Sequence, residues 1–322
     1  IALDPKIGNR TLAELDVENI YGTIGEVAEY FGTASAAKFQ YTFDKSNISF
    51  EETLTTIADA VFCVPYRRGS TIQLSFEKKT SDSVLLFNHR NKVPNSETRT
   101  VRFGRFQDND GLVYKYVSPK DDAIVEISLP YDGSAINPRN VESVGVRSEV
   151  QAHFHANRIW NKMQYQNKTT EFTALAEADL LVRSDRILVA DNTRSDTFDG
   201  QVVYQDVLKL GLSQPFKLGS GEPLDHVIFL QYSDGTVEGI KIQALVPGDP
   251  YAVILANAPS VALSLNDEAY RNAAYQIVRE YAQNHSAFIL TERTPQSVTT
   301  SNVTAINYDD RYYQSDRDLI DG

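Results

Sequence analysis

The sequence predicts a β-rich α+β fold of small antiparallel barrels or sheets with inserted helices. Three observations predict it. Within 147–243, Val150, Phe154, Ile159, Trp160 and Met163 fall near helical spacing, and short apolar runs split by Asp, Gly and Asn follow them. HVIFLQY and VEGIKIQ flank Ser233-Asp234-Gly235-Thr236, which reads as a hairpin turn. Phe39, Tyr41 and Phe43 alternate, as do Ile72, Leu74 and Phe76, which is the pattern of strands with one apolar face.

Taken in order, residues 1–10 carry Pro5 and Gly8 and read as irregular. Leu12, Leu15, Ile20, Ile24, Val27 and Phe31 predict a helix over 12–31, weakened by Gly22 and Gly25 and stopped at Gly32. The run at 32–37 reads as a linker. Ser49 with Glu52 forms a capping-box pattern ahead of Leu54, Ile57, Ala58 and Val61 on one helix face. Arg67-Arg68-Gly69-Ser70 is a turn. Apolar runs at 84–87, 101–103, 112–117 and 124–129 are expected strands, with Asp108-Asn109-Asp110-Gly111 turning between the middle two.

The runs at 180–182 and 187–190 flank polar 183–186, and Phe198-Asp199-Gly200 introduces a strand at 202–204. Pro247-Gly248-Asp249-Pro250 reads as a break. A strand is expected at 251–256. Asn266 or Asp267 would then cap a helix burying Ala269, Ala273, Ile277, Val278 and Tyr281. Strands at 287–290 and 303–306 precede a polar, frayed end at 314–322. Four segments result: a helical 1–36, an α+β module over 37–145, a helix plus barrel-like module over 146–250, and a closing helix and strand segment over 251–322.

With 322 residues, 42% hydrophobic and 23% charged, the chain can hold two or three globular domains. A net charge of −12 opposes non-specific binding to nucleic acid or an anionic membrane. No apolar run is long enough to span a bilayer, and no secretory signal is visible at the start. The chain begins at Ile1 without Met, which reads as an excised fragment or a chain lacking its true start. Cys63, the single cysteine, excludes an internal disulfide and reads as a buried, inert thiol suited to a reducing cytoplasm.

No catalytic, cofactor-binding or metal-ligating residue is expected. On a helix His153 and His155 point about 200° apart and cannot share an ion. Asp108-x-Asp110-Gly111 resembles half a calcium loop, but Pro119 and the placing of Asp121 and Asp122 break the pattern. Asp191-Asn192 with Asp196 and Asp199 reads as a solvated acidic turn, Glu51-Glu52 as helix N-terminal acids, and Gly219-Ser220-Gly221 as a loop. Tyr308, Tyr312 and Tyr313 beside Asp309, Asp310 and Arg311 suit an interface, a sugar platform or, as the plainer reading, a cluster packing its own domain. Asn47, Asn167, Asn284 and Asn302 open N-x-S/T triplets that mean little without a secretory route.

QAHFHANRIWNKM, RILVADNT, FDGQVV and the late DGT turn together resemble the hub module of phage tail-tip proteins. The family is that of the tip attachment (host specificity) protein J of lambda-like phages. Residues 49–67, SFEETLTTIADAVFCVPYR, resemble its helix-then-hairpin segment, and 288–313, FILTERTPQSVTTSNVTAINYDDRYY, its closing strand pair. The resemblance implies a structural, non-enzymatic homotrimer that needs no cofactor, closes the tail tube and carries receptor-binding parts. It implies assembly in the host cytoplasm, a place at the virion tail tip, and distal tail, tape-measure and tip proteins as partners. Contact with a host receptor would lie outside this chain. Two alternatives stay open: a carbohydrate-binding or glycan-cleaving β-module, suggested by the acidic, aromatic composition, and the hub of a contractile tail or related injection machine.

Overall fold

A computed structural model describes residues 2–5, 7–43, 49–102, 109–191, 198–219, 221–266, 272–281 and 286–316. The fold is β-rich α+β, with 21% helix and 39% strand. Strands are numbered β1–β17 and α-helices α1–α3 in chain order. The chain forms two compact units, each built from separated segments.

The first unit comprises Ile1–Lys79, Arg102–Asn167 and Asp310–Gly322. Helix α1 (Val17–Tyr30) starts where the Asp16 carboxylate accepts the Asn19 N–H at 3.0 Å, and it stops at Gly32, φ +67°. Helix α2 (Phe50–Ala60) starts where Ser49 Oγ accepts the Glu52 N–H at 3.1 Å. The hairpin of β1 (Cys63–Arg68) and β2 (Thr71–Phe76) turns at Gly69, φ +64°. Helix α3 (Glu149–Tyr165) packs on a sheet ordered β6 (Ile124–Leu129), β5 (Gly111–Val117), β7 (Pro138–Glu142). Ala152 and Ala156 let it lie close to Leu112, Tyr114, Ile127 and Leu129.

The second unit comprises Thr80–Val101 and Lys168–Asp309. One sheet runs β3 (Leu85–Phe87), β9 (Arg186–Val189), β16 (Ala287–Pro295), β17 (Thr300–Asn307), β8 (Lys168–Leu175), β4 (Thr98–Val101), with β3–β9 parallel and the other pairs antiparallel. The other closes into an antiparallel barrel: β10 (Phe198–Asp206), β11 (Lys209–Leu212), β14 (Asp249–Leu255), β13 (Val237–Val246), β12 (His226–Gln231), β15 (Ala274–Arg279), and back to β10. Leu210, Ile228, Leu230, Ile240, Val253, Tyr275 and Ile277 fill its interior. Closure removes the exposed edges an open sheet would present.

Several expectations are corrected. Residues 12–14 form a separate 3-10 turn, because Asp16 caps a helix that begins only at Val17. The supposed linker at 32–37 holds a 3-10 turn whose Ala36 is fully buried. Phe39, Tyr41 and Phe43 lie in no strand; their rings pack on one another at 5.0–6.4 Å, and Gln40 N–H bonds Gly145 O at 2.9 Å. The helix expected near 266–281 is strand β15, whose residues pair on both sides with β10 and β12. Tertiary pairing overrides the helical spacing there; 267–271 and 282–285 lie outside the described residues.

Pro247-Gly248 is no break but the tight turn joining β13 to β14, with Val246 opposite Asp249 and Gly248 at φ +79°. The run at 180–182 is not a strand: a 3-10 turn over Ala176–Leu180 leads into loop. No hairpin joins β4 to β5. β4 pairs with β8, β5 with β6 and β7, and 103–108 lie outside the described residues. Asp110 instead accepts the Ile136 and Asn137 N–H groups at 2.8 and 2.7 Å. The compact units interleave in sequence, whereas the segments 1–36, 37–145, 146–250 and 251–322 cut it linearly. Among the described residues, no helix is long and apolar enough to cross a membrane.

Candidate functional site

An apolar groove lies in the first unit, between α1 and α2. Ile20 and Ile24 on α1 and Leu54 and Ile57 on α2 line a groove of about 600 Å³ that reaches the edge of β2. The spacing puts these residues on facing sides of two short helices. Leu12 (62% exposed), Tyr21 (76%) and Leu3 (54%) stand at the same groove. Large apolar side chains grouped this way on a surface mark interaction sites.

The first unit also holds a charged centre that the sequence did not reveal. Arg158 on α3 is 5% exposed. Its Nε and Nη2 donate to Asp316 Oδ1 and Oδ2, both at 2.7 Å, and its Nη1 to Glu77 O at 2.8 Å. The guanidinium lies 4.8–5.0 Å from the ring centres of Phe31, Phe62 and Tyr313. Cation–π contact and a two-point carboxylate together offset the cost of burying the charge. Tyr30 Oη also donates to Asp316 Oδ2, at 2.9 Å. Phe62 holds φ +58° just past the Val61 cap of α2, a position that favours glycine, and its ring stacks on His155 at 3.9 Å. The signal available in sequence was Arg158 itself, one turn after Phe154 on the buried side of α3, where Gln151 and Asn161 are buried too.

The titrating groups here are tuned by that packing. Burial lowers the His155 imidazole to about 4, with Arg158 and Lys162 pushing the same way against a 3.0 Å contact with Ala60 O. Burial would raise the Glu77 carboxyl, but Lys162, at 2.5 Å, and Arg158 outweigh it and hold it near 2. Burial raises the Cys63 thiol to about 12, consistent with an inert, buried cysteine. His153 leaves α3 in another direction and meets Tyr131 Oη at 3.2 Å, so the two histidines share no ligand. Among the described residues, no three His, Cys, Asp or Glu side chains gather to hold a metal ion.

The second unit has its own cleft, of about 610 Å³, with Asn88, Asn91, Glu177 and Asn272 among its lining. Its amides are committed to the fold. Asn91 Nδ2 donates to Leu86 O and Glu177 Oε2, both at 2.8 Å, and Asn272 Nδ2 to Val202 O at 3.1 Å. The acidic turn is likewise dispersed: Asp191 pairs with Arg99 at 3.1 Å and Asp199 with His89 at 2.7 Å. Asn192 and Asp196, like Asp108 and Ser220, lie outside the described residues. Of the tyrosine cluster, Tyr308, Tyr312 and Tyr313 are all buried, so their rings form no open platform.

No family model and no curated protein matches the sequence. Solved structures similar to the chain include a chain of the virion of a native gene transfer agent particle (TM-score 0.42, 9% identity, 90% of this chain and 47% of that one). Others are the tail protein from Neisseria meningitidis MC58 (TM-score 0.36, 10% identity, 90% and 67%) and the 43 kDa tail protein of prophage MuSo2 from Shewanella oneidensis (TM-score 0.29, 11% identity, 81% and 64%). The chain spans about half the length of the first of these.

Proposed function

We propose that this chain is a structural, non-enzymatic hub component of a phage tail tip, acting as a homotrimer that closes the tail tube and carries receptor-binding parts. One observation supports the reading above others. The stretches that resemble the tail-hub family take up the local structure that the resemblance implies. Residues 49–67 form α2 followed by the first strand of a hairpin. RILVADNT opens as β9, FDGQVV opens β10 of the closed barrel, and the DGT turn joins β12 to β13. Residues 288–307 form the β16–β17 pair.

In this role the chain works by cohesion: complementary surfaces on neighbouring subunits close a ring about a threefold axis, and distal tail, tape-measure and tip proteins stack on it at the virion tail tip. The same element order would serve the hub of a contractile tail or a related injection machine. For the sugar-cleaving alternative, the cleft of the second unit supplies one carboxylate among the described residues, Glu177, where glycoside hydrolysis uses two.

Light scattering over a concentration series tests the reading. The expected mass is three times that of the 36.0 kDa chain. A monomer at every concentration would remove trimeric closure from this chain and direct attention to a glycan-cleavage screen.

A further inference from the structure

The tip of the β16–β17 hairpin adjoins the cleft of the second unit. Pairing runs out to Pro295 opposite Ser301, and the Gln296 and Ser297 N–H groups fix the turn by donating to Thr300 O at 2.9 and 3.1 Å. Residues 294–299 are all exposed, and Val298 is 96% exposed. A lone exposed valine needs no explanation, but this one stands beside an apolar hollow. Thr299, the next residue, lines the cleft, and so does Leu180, 60% exposed. The floor is apolar, from Leu85, Leu175, Ala176 and Ala273.

The polar groups of the two features also match. The asparagines of the cleft are spent on the fold, but two other donors are not. Gln231 Oε1 accepts the Leu86 N–H at 3.0 Å, while its Nε2 has no partner among the described residues. The Arg90 side chain makes no hydrogen bond or ion pair among them either. On the tip, the carbonyls of Gln296, Ser297 and Val298 accept no hydrogen bond among the described residues. From Thr294 to Asn302 no residue is charged, in a chain of net charge −12, so acidic copies can meet through this tip with little repulsion.

From this combination we propose that the hairpin tip of one copy seats in the cleft of a neighbouring copy. Val298 then meets the apolar floor, and the turn carbonyls take hydrogen bonds from Gln231 and Arg90. A chain's own tip cannot fill its own cleft, because strand pairing out to Pro295 and Ser301 holds Val298 in solvent. Tip and cleft are different patches, so the contact is head-to-tail, the kind that closes into a ring. The inference rests on the reading of the chain as a self-associating tail component, and it names the surface.

Light scattering and thiol cross-linking on the full chain test it. Val298→Asp should raise the concentration at half-association about tenfold or more, since it sets an unpaired charge on an apolar floor. Leu180→Asp should do the same, and both positions are exposed, so the fold is retained. In the second measurement, a chain with Val298→Cys is mixed dilute with a chain carrying Leu180→Cys, concentrated, and treated with a short bis-maleimide; Cys63, 1% exposed, does not compete. A product of twice the 36.0 kDa chain is expected from the mixture and not from either variant alone. Trimers that Val298→Asp leaves intact, with no mixed product, would overturn the inference and leave the hub reading standing. Monomers at every concentration, with no mixed product, would remove both. Association that Val298→Asp weakens but that stops at two chains would keep this contact and remove trimeric closure.

Discussion

Arg158 and Asp316 meet in a two-point ion pair, both contacts at 2.7 Å, with both side chains almost fully buried. The pair joins the middle of α3 to a segment far downstream. Its aromatic surround makes the geometry specific as well as strong.

Removing one partner should cost far more than removing both. Asp316→Ala leaves a buried cation without its counter-charge and is expected to destabilise by about 3–5 kcal/mol. Arg158→Met with Asp316→Ala replaces the cation by an apolar chain and should recover part of that loss. Urea midpoints at constant m-value measure both. An Asp316→Ala loss below about 1 kcal/mol would show that the pair behaves as a surface contact.

Acid should weaken the first unit in two stages. His155 has a folded-state pKa lowered from 6.5 to about 4, so the unfolded chain binds the proton first. The stability it contributes is full above pH 6.5 and is lost as pH falls towards 4. Glu77 follows: its pKa, lowered from 4.5 to about 2, contributes stability above 4.5 that is lost as pH falls towards 2. His155→Gln should flatten the first stage, worth on the order of 2–3 kcal/mol, in melting curves taken across pH. Asp185 in the second unit runs the other way. Burial raises its carboxyl to about 6, so the contribution it makes in acid is lost as pH rises through 6.

Two glycines with similar backbone angles should respond differently to alanine. Gly145 has φ +81°, and a Cβ there would overlap the Phe39 ring. Gly69 has φ +64° with open space around it. Gly69→Ala should cost about 1 kcal/mol of left-handed strain. Gly145→Ala should cost about 1–3 kcal/mol more, because the aromatic cluster of Phe39, Tyr41 and Phe43 must shift. Equal changes in melting temperature would mean the ring moves aside freely.

The Cys63 thiol is 1% exposed, and its pKa is raised to about 12 by burial and by Glu26. A maleimide reagent at pH 8 should therefore leave the native chain unlabelled and label it fully in denaturant. Rapid native labelling would place this region among the locally opening parts of the structure.

Much of the fold was legible because its signals are local. Ser49 marked the start of α2, Gly69 and Gly235 marked their hairpins, and alternation marked β2. What failed depended on distant partners. The residues of β15 carry a helical spacing that lost to pairing with β10 and β12. Phe39 and Tyr41 alternate like a strand but pack as a ring cluster against a loop. Of the buried site, only Arg158 was in view; nothing in the order of residues ties it to Asp316 or to the backbone of Glu77. The groove was half legible: the apolar faces of α1 and α2 were read, but not that they face one another and stay partly uncovered.

The interleaving of the two units also sets a timetable during synthesis. Residues 168–309 of the second unit are complete before Asp316 is made, and 158 residues separate Arg158 from its counter-ion. At about 5–20 residues per second, the nascent chain carries that arginine without its acid for roughly 8–30 s. The barrel can therefore close on the ribosome while the first unit still waits for its last segment.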